Sequence, residues 1–379
     1  MITYLALGLL LIVVLYFGFS GRDMKDQTPK KPTPAPQALP PAVRKEPTIR
    51  PPETSKAREV PKELSELQLT PFSDLPGDQA QTLLRRLQNI PRPPRTLDKL
   101  VSAEFLANAS SATLSELMAA EPQIAAKVLA NVNAPIYGLK KPLESMGQAI
   151  TYLGMNTVRG ICMQYMLDNS FKAASPDLNV YYETIWEASA CASELCSKLA
   201  QLLNLPEPGN LVTQVVLSYI GPLTTYSLLD RQSVIRLAQC EPIDAARFEQ
   251  EQLGLCASEM GAMLMQSWQV PESLIQDVRD IDHVMVTPCT VPADARSARL
   301  ALCYLCKRWG MMLATGEIQN LHSMDLMNSE SLEYFYLPDY LQHPSLARLL
   351  EFLQFPEIVA CTAQMTARAK LRYPRASAL

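Results

Sequence analysis

The chain has 379 residues, 48 % of them hydrophobic, and a formal net charge of −4. That is enough apolar material for a core of ordinary size in one to three domains. The acidic balance supplies no global field to draw in nucleic acid, so no nucleic-acid partner is expected.

Residues 2–19 read Ile-Thr-Tyr-Leu-Ala-Leu-Gly-Leu-Leu-Leu-Ile-Val-Val-Leu-Tyr-Phe-Gly-Phe, with no charge. A helix over them is about 27 Å long, close to the hydrocarbon thickness of a bilayer. A cleaved signal peptide fits less well, because no basic segment precedes the run and no Ala-x-Ala pattern follows it. Residues 1–20 therefore read as a single-pass transmembrane anchor, with membrane contact through residues 2–19. Arg22, Lys25, Lys30 and Lys31 all lie on its C-terminal side. Basic flanks stay cytoplasmic, so the N-terminus is expected outside and the body of the chain inside.

Half of the thirty prolines fall within residues 21–95, among charged and small polar residues. Proline favours extended, semi-stiff chain, and apolar residues before Leu64 are too sparse to build a core. Residues 21–90 are accordingly expected to be a disordered, Pro-rich cytoplasmic linker. Leu83, Leu84, Leu87 and Ile90 share helical spacing, which allows one amphipathic turn or helix over residues 79–90. The prolines form no clear PxxP cluster with basic flanks that would mark a ligand for another protein.

From Thr96 onward the pattern is helical almost throughout. Leu97, Leu100, Val101, Phe105 and Leu106 mark one apolar face. Thr113 and Glu116 read as a capping box, and Pro122 opens the next helix, where a missing N–H costs nothing. Ile124, Val128, Leu129 and Val132 continue it. One long helix is expected over residues 182–205 and a second over 211–230, broken or bent at Gly221-Pro222. Further helices are expected over 245–268, 272–281 and 293–313. Strand-like alternation is confined to short runs such as residues 284–286. The expected fold class is all-α. Residues 91–290 form the helical domain and 291–379 a C-terminal helical extension.

The nine cysteines are odd in number and irregularly spaced, which reads as free thiols in a reducing compartment. Cys303 and Cys306 form a lone CxxC, but no second pair or nearby histidine completes a zinc set, and Leu300, Leu302, Leu305 and Trp309 around them indicate a buried helix. The only histidines are His283, His322 and His343, too few and too late for a Ser-His-Asp constellation. Gly209 is an isolated turn glycine, not part of a phosphate loop. Arg368, Lys370, Arg372 and Arg375 suit a helix C-terminus; contact with an anionic leaflet is the sharper alternative, at about 1 kcal/mol per charge.

Residues 121–133 read Glu-Pro-Gln-Ile-Ala-Ala-Lys-Val-Leu-Ala-Asn-Val-Asn. Tyr137-Gly138 follows, then Ser145 with Ala149-Ile150 and Leu153-Gly154. This order resembles the HDOD domain, the non-hydrolytic relative of the HD phosphohydrolases in bacterial signalling proteins. The family-motif positions are Asn133, Tyr137, Ala149, Leu153 and Gly154; Ala134-Pro135 departs from the usual Ser-Ala. The likeness covers about residues 91–283. Its second half rests on Trp186 with Ser189, Ile220-Gly221, Gly261-Ala262, Trp268 and Pro271.

An HD enzyme needs several imidazoles and carboxylates around a metal, which lowers the pKa of the attacking water. Where the resemblance implies a His-Asp step, this chain has Ser218-Tyr219. Near the next histidine it has Cys256-Ala257. The late His-His falls near Ile281-Asp282, with His283 one place off and read as a surface or capping residue. No catalytic residue, metal site or cofactor is therefore expected. Trp186, Ser218, Tyr219 and Ala257 would surround a vestigial pocket, expected to be filled in; a small-molecule ligand is left open but nothing calls for one. The resemblance implies a regulatory role without turnover; with the run at residues 2–19 it leads to the expectation of a membrane-tethered signalling or scaffold protein of the bacterial inner membrane that binds a partner protein on the cytoplasmic side. Two alternatives remain at this point: a divergent metal-dependent phosphohydrolase, and a structural bracket of an envelope-associated machine.

Overall fold

The computed structural model describes residues 59–372, except residues 291, 323 and 328. Among the described residues the regular elements are all helical, with no strand. The candidate anchor at residues 2–19 and the spacer up to residue 58 lie outside them. No helix among the described residues is long and apolar enough to cross a membrane.

The packed body begins earlier than composition suggests. A single turn at Lys62–Ser65, a 3-10 turn at Phe72–Asp74 and helix α1 (Gly77–Gln88) precede the expected domain start. Leu64, Leu67, Leu83, Leu87 and Ile90 are buried. The linker expected to reach residue 90 is thus corrected: residues 59–90 pack on the bundle. Few apolar side chains are needed, because the strap borrows polar partners from the helix beneath it. Gln250 Nε2 donates to the Gln68 carbonyl at 3.1 Å, and its Oε1 accepts the Thr70 N–H at 2.5 Å. Arg247 donates to the Glu63 carbonyl.

Helix α2 (Ser111–Ala119) starts one turn before its expected signal. Ser110 is the N-cap: its Oγ accepts the Thr113 N–H at 3.1 Å while Thr113 Oγ1 accepts the Ser110 N–H at 3.4 Å. The box expected at Thr113 and Glu116 is corrected accordingly, since a hydroxyl serves at the third position as well as a carboxylate. Pro122 does open α3 (Pro122–Val132). Helices α4 (Met146–Leu153) and α5 (Met155–Asp168) meet at Gly154, where φ is +86°. Helix α6 (Asn179–Leu202) is unbroken.

The helix expected over 211–230 is two: α7 (Pro208–Ser218) and α8 (Ile220–Leu228), parted at Tyr219 and not at Gly221. The run expected over 245–268 is also two: α9 (Pro242–Leu253) and α10 (Ala257–Ser267). Gly254 ends α9 in the left-handed region at φ +84°, a conformation that glycine adopts without a Cβ clash. Helix α11 (Glu272–Asp280) follows. Asp294 caps α12 (Ala295–Thr315), its Oδ1 accepting the Ser297 N–H at 2.6 Å. Helix α13 (Pro356–Arg372) comes last.

The most extensive helix pairing joins α6 to α12, so the segment after residue 291 is not appended to the bundle; it completes it. Arg368 of α13 pairs with the buried Glu187, and with Glu194 at 3.8 Å, both on α6. That removes Arg368 from the exposed basic tail expected for it. One continuous core runs from Leu64 to Met365, within a single unit spanning Glu59–Leu379. This unit carries its own continuous hydrophobic core, the property that lets a domain fold independently of the rest of a chain.

Candidate functional site

Helices α8 and α10 cross at two glycines. A Cβ on Gly221 would strike the Ala257 carbonyl, and one on Gly261 would lie 2.9 Å from the Gly221 backbone. The bare contact draws the α7–α8 junction against the start of α10, so Tyr219 and Ala257 face one cleft. Tyr219 is almost fully buried, and its hydroxyl donates to the Lys307 carbonyl of α12 at 2.7 Å. Burial pushes that phenol well above its ordinary range. Asp282, in the 3-10 turn Asp282–Met285, enters the same cleft. Lys307 Nζ donates to both of its carboxylate oxygens, at 2.7 and 2.8 Å. Tyr219, Ala257 and Asp282, one residue from each of the three places that the family likeness marks as metal stations, therefore line one cleft of about 200 Å³.

The side chains there do not fit the metal of an HD enzyme. Tyr219 has spent its hydroxyl on a backbone carbonyl, Ala257 has no donor, and Asp282 is neutralised by an ammonium group. Among the described residues no group of three or more His, Cys, Asp or Glu is arranged to hold a metal ion.

The four residues expected around a vestigial pocket do not all meet. Tyr219 and Ala257 line the cleft. Ser218 is buried in α7 and donates to the Val215 carbonyl at 2.7 Å. Trp186 stands in a separate aromatic group, its ring 6.4 Å from Phe171, which lies 6.1 Å from Trp268. Nor is the cleft filled in: Tyr219 occupies one station, but Ala245, Ala246 and Ala257 are too small to close the rest. His283 is half-buried, and its Nε2 is closed from solvent without a hydrogen-bond partner among the described residues; it does not line the cleft. Cys303 and Cys306 are buried in α12.

The motif residues serve a different corner. Asn133 clamps the Leu143 backbone: Oδ1 accepts the Leu143 N–H at 2.7 Å and Nδ2 donates to the Leu143 carbonyl at 2.8 Å. The Tyr137 carbonyl accepts the Tyr152 hydroxyl at 3.0 Å. Ala149 is buried, Leu153 closes α4 and Gly154 turns the chain into α5. Together they fix how α3, α4 and α5 join.

A profile of the HDOD domain matches residues 90–284. This chain belongs to the HDOD domain family. Among solved structures it is similar to a candidate signal transduction protein from Marinobacter aquaeolei VT8, at 20 % identity and a TM-score of 0.55 over 78 % of this chain and 65 % of that one. It is also similar to an HDOD domain protein of unknown function from Geobacter sulfurreducens, at 16 % identity and a TM-score of 0.48, over 79 % and 97 % of the two chains. A third is a candidate phosphohydrolase from Shewanella amazonensis SB2B, at 19 % identity and a TM-score of 0.49, over 76 % and 97 %. At these identities the likeness concerns the fold. No curated protein matches the chain.

Sequence reasoning missed two HDOD-cleft residues, Glu249 and Lys307. Glu249 Oε2 accepts the Ala257 N–H at 2.7 Å, holding α9 to the first turn of α10. Burial raises its carboxyl from 4.5 to about 8; Asp282 adds to the rise, while the Ala257 N–H, Lys307 and Thr225 oppose it. A signal existed, since Ile243, Ala246 and Glu249 recur at intervals of three and place the acid on the apolar face of α9. Lys307 lies beyond the segment matched to the family and had no such marker.

Proposed function

We propose that this chain is a membrane-tethered, non-catalytic HDOD protein of a bacterial inner membrane. Its helical body binds a partner protein on the cytoplasmic side, in signalling or as a scaffold. The reading is carried by one observation: at the three converging stations stand Tyr219, Ala257 and a lysine-paired Asp282, where a hydrolase would need metal ligands. Such a cleft offers no activated water and no site to make one. The family association with signalling, and the uncharged run at residues 2–19 with its basic C-terminal flank, support the remainder.

The full chain, extracted from membranes and analysed for elements, is expected to carry no stoichiometric transition metal; one metal per chain would overturn the non-catalytic reading. Membrane fractionation separates the tether from the body. Deleting residues 2–19 is expected to release the protein into the soluble fraction, and retention at the membrane would refute the tether. Crosslinking in intact cells followed by mass spectrometry is expected to recover a protein that the untethered variant fails to capture.

A further inference from the structure

The cleft is bounded by α8, α9, the Asp282 turn and α12, and the strap lays Leu69 along it. Its walls are mostly carbon: Leu69, Pro222, Leu237, Ala245, Met285 and Met311. The charged groups on its floor already have partners, Arg308 with Glu317 at 3.4 Å among them. Lys307 is bound to both oxygens of Asp282. Arg308 donates to both oxygens of Glu333, at 2.9 and 3.1 Å, and to Glu241 at 3.3 Å. Glu249 has no cation within ion-pair distance among the described residues, and burial keeps its carboxyl protonated at neutral pH.

We infer that this cleft binds a small, uncharged, mainly apolar molecule that presents one hydrogen-bonding group to the Glu249 side of the floor, beneath Leu69 of the strap. The inference rests on the non-catalytic reading above and gives that binding module a ligand class. Charge decides it. An ionic ligand would shed its water in a site whose charged groups already have partners, and nothing would repay that loss. A neutral ring sheds little, and an apolar cavity of about 150 Å³ is large enough to hold one benzene; this cleft is about 200 Å³. The two methionines adapt to an irregular guest.

Three probes of one size and different charge test it: phenol, benzoate and benzylammonium. The Glu59–Leu379 unit is labelled with ¹³C at its methionine methyls. Phenol is expected to move the Met285 and Met311 signals saturably, and to leave those of Met118 and Met163, which lie outside the cleft, in place. Its affinity is expected to be at least tenfold above that of either ion. Ala245→Leu, at a half-exposed lining position, and Leu69→Trp on the strap each fill the space by a different route. Each is expected to weaken phenol at least tenfold while leaving the Met118 signal unmoved. No shift at Met285 and Met311, equal or tighter binding of benzoate or benzylammonium, or full phenol binding in both filled variants would overturn the inference. None of these results bears on metal content or membrane release, so the proposed function stands or falls separately.

Discussion

Replacing Glu249 with Gln isolates the cost of burying an acid in the cleft. The amide oxygen still accepts the Ala257 N–H, so α9 and α10 stay joined, but the group no longer ionises. In the native protein burial holds the carboxyl near 8, against 4.5 for the free group, with Asp282 pushing the same way and Lys307 against it. Because the folded value is the higher one, the stability is fully present below pH 4.5. It is lost progressively as pH rises through the folded value. At 1.36 kcal/mol per pH unit the gap is worth about 5 kcal/mol; water entering the opened cleft reduces the observable part to about 2–5 kcal/mol. Urea unfolding of the Glu59–Leu379 unit at intervals from pH 4 to pH 9 measures it. The difference between Glu249→Gln and the native unit is expected to be smallest at pH 4. It should grow in favour of the glutamine above pH 5 and level off above pH 8. A difference that does not change with pH would refute the burial argument.

Gly221→Ala forces a methyl into the Ala257 carbonyl and is expected to cost about 1–3 kcal/mol in thermal unfolding; Gly77→Ala, which meets nothing within 4 Å, is the neutral control. Asn133→Ala deletes both bonds to Leu143, so a loss of about 2 kcal/mol is expected, with faster hydrogen exchange at the Leu143 amide. Arg368→Met strips the guanidinium from Glu187 on α6 and is expected to destabilise by about 3 kcal/mol, measured by urea midpoint. Starting the chain at residue 91 uncovers the core around Leu83 and Leu87; lower melting temperature and new binding of a hydrophobic dye are expected, and unchanged melting would contradict the packing of the strap.

The all-helical class and the long α6 were legible because periodicity reports buried faces over many turns. Breaks were not. Gly254 sits between Leu253 and Leu255 in a run of helix-forming residues, and a lone glycine in such a run reads equally well as tolerated helix. Whether it stops the helix depends on where α10 must point, which is tertiary information. The strap was missed for a related reason. Leu64, Leu67 and Leu69 are single apolar residues in a proline-rich composition, and a window average over them reports a solvated chain. Their packing depends on Gln250 and Arg247, nearly two hundred residues away, whose polar groups satisfy the strap's backbone. The motif at residues 121–154 was legible as family, but its residues shape a corner and none of them lines the Tyr219 cleft. Trp186 was drawn into the site by its place in the family pattern; in space it belongs to the Phe171 group.

In the cleft each buried charge is balanced from within the fold. Asp282 keeps a carboxylate close to where the family likeness expects metal ligands, and an unpaired acid that far from water costs several kcal/mol. In a metal enzyme the cation supplies the opposite charge. Here Lys307 supplies it, and Lys307 stands on α12, outside the matched segment at residues 90–284. Tyr219 is secured by the backbone of that same residue. Helix α12 is therefore more than added packing: its Lys307 ammonium pairs with Asp282 and the Lys307 carbonyl accepts the Tyr219 hydroxyl, while Glu249 holds the Ala257 N–H. With those roles held by one lysine and one protonated acid, the open part of the cleft is mainly apolar surface.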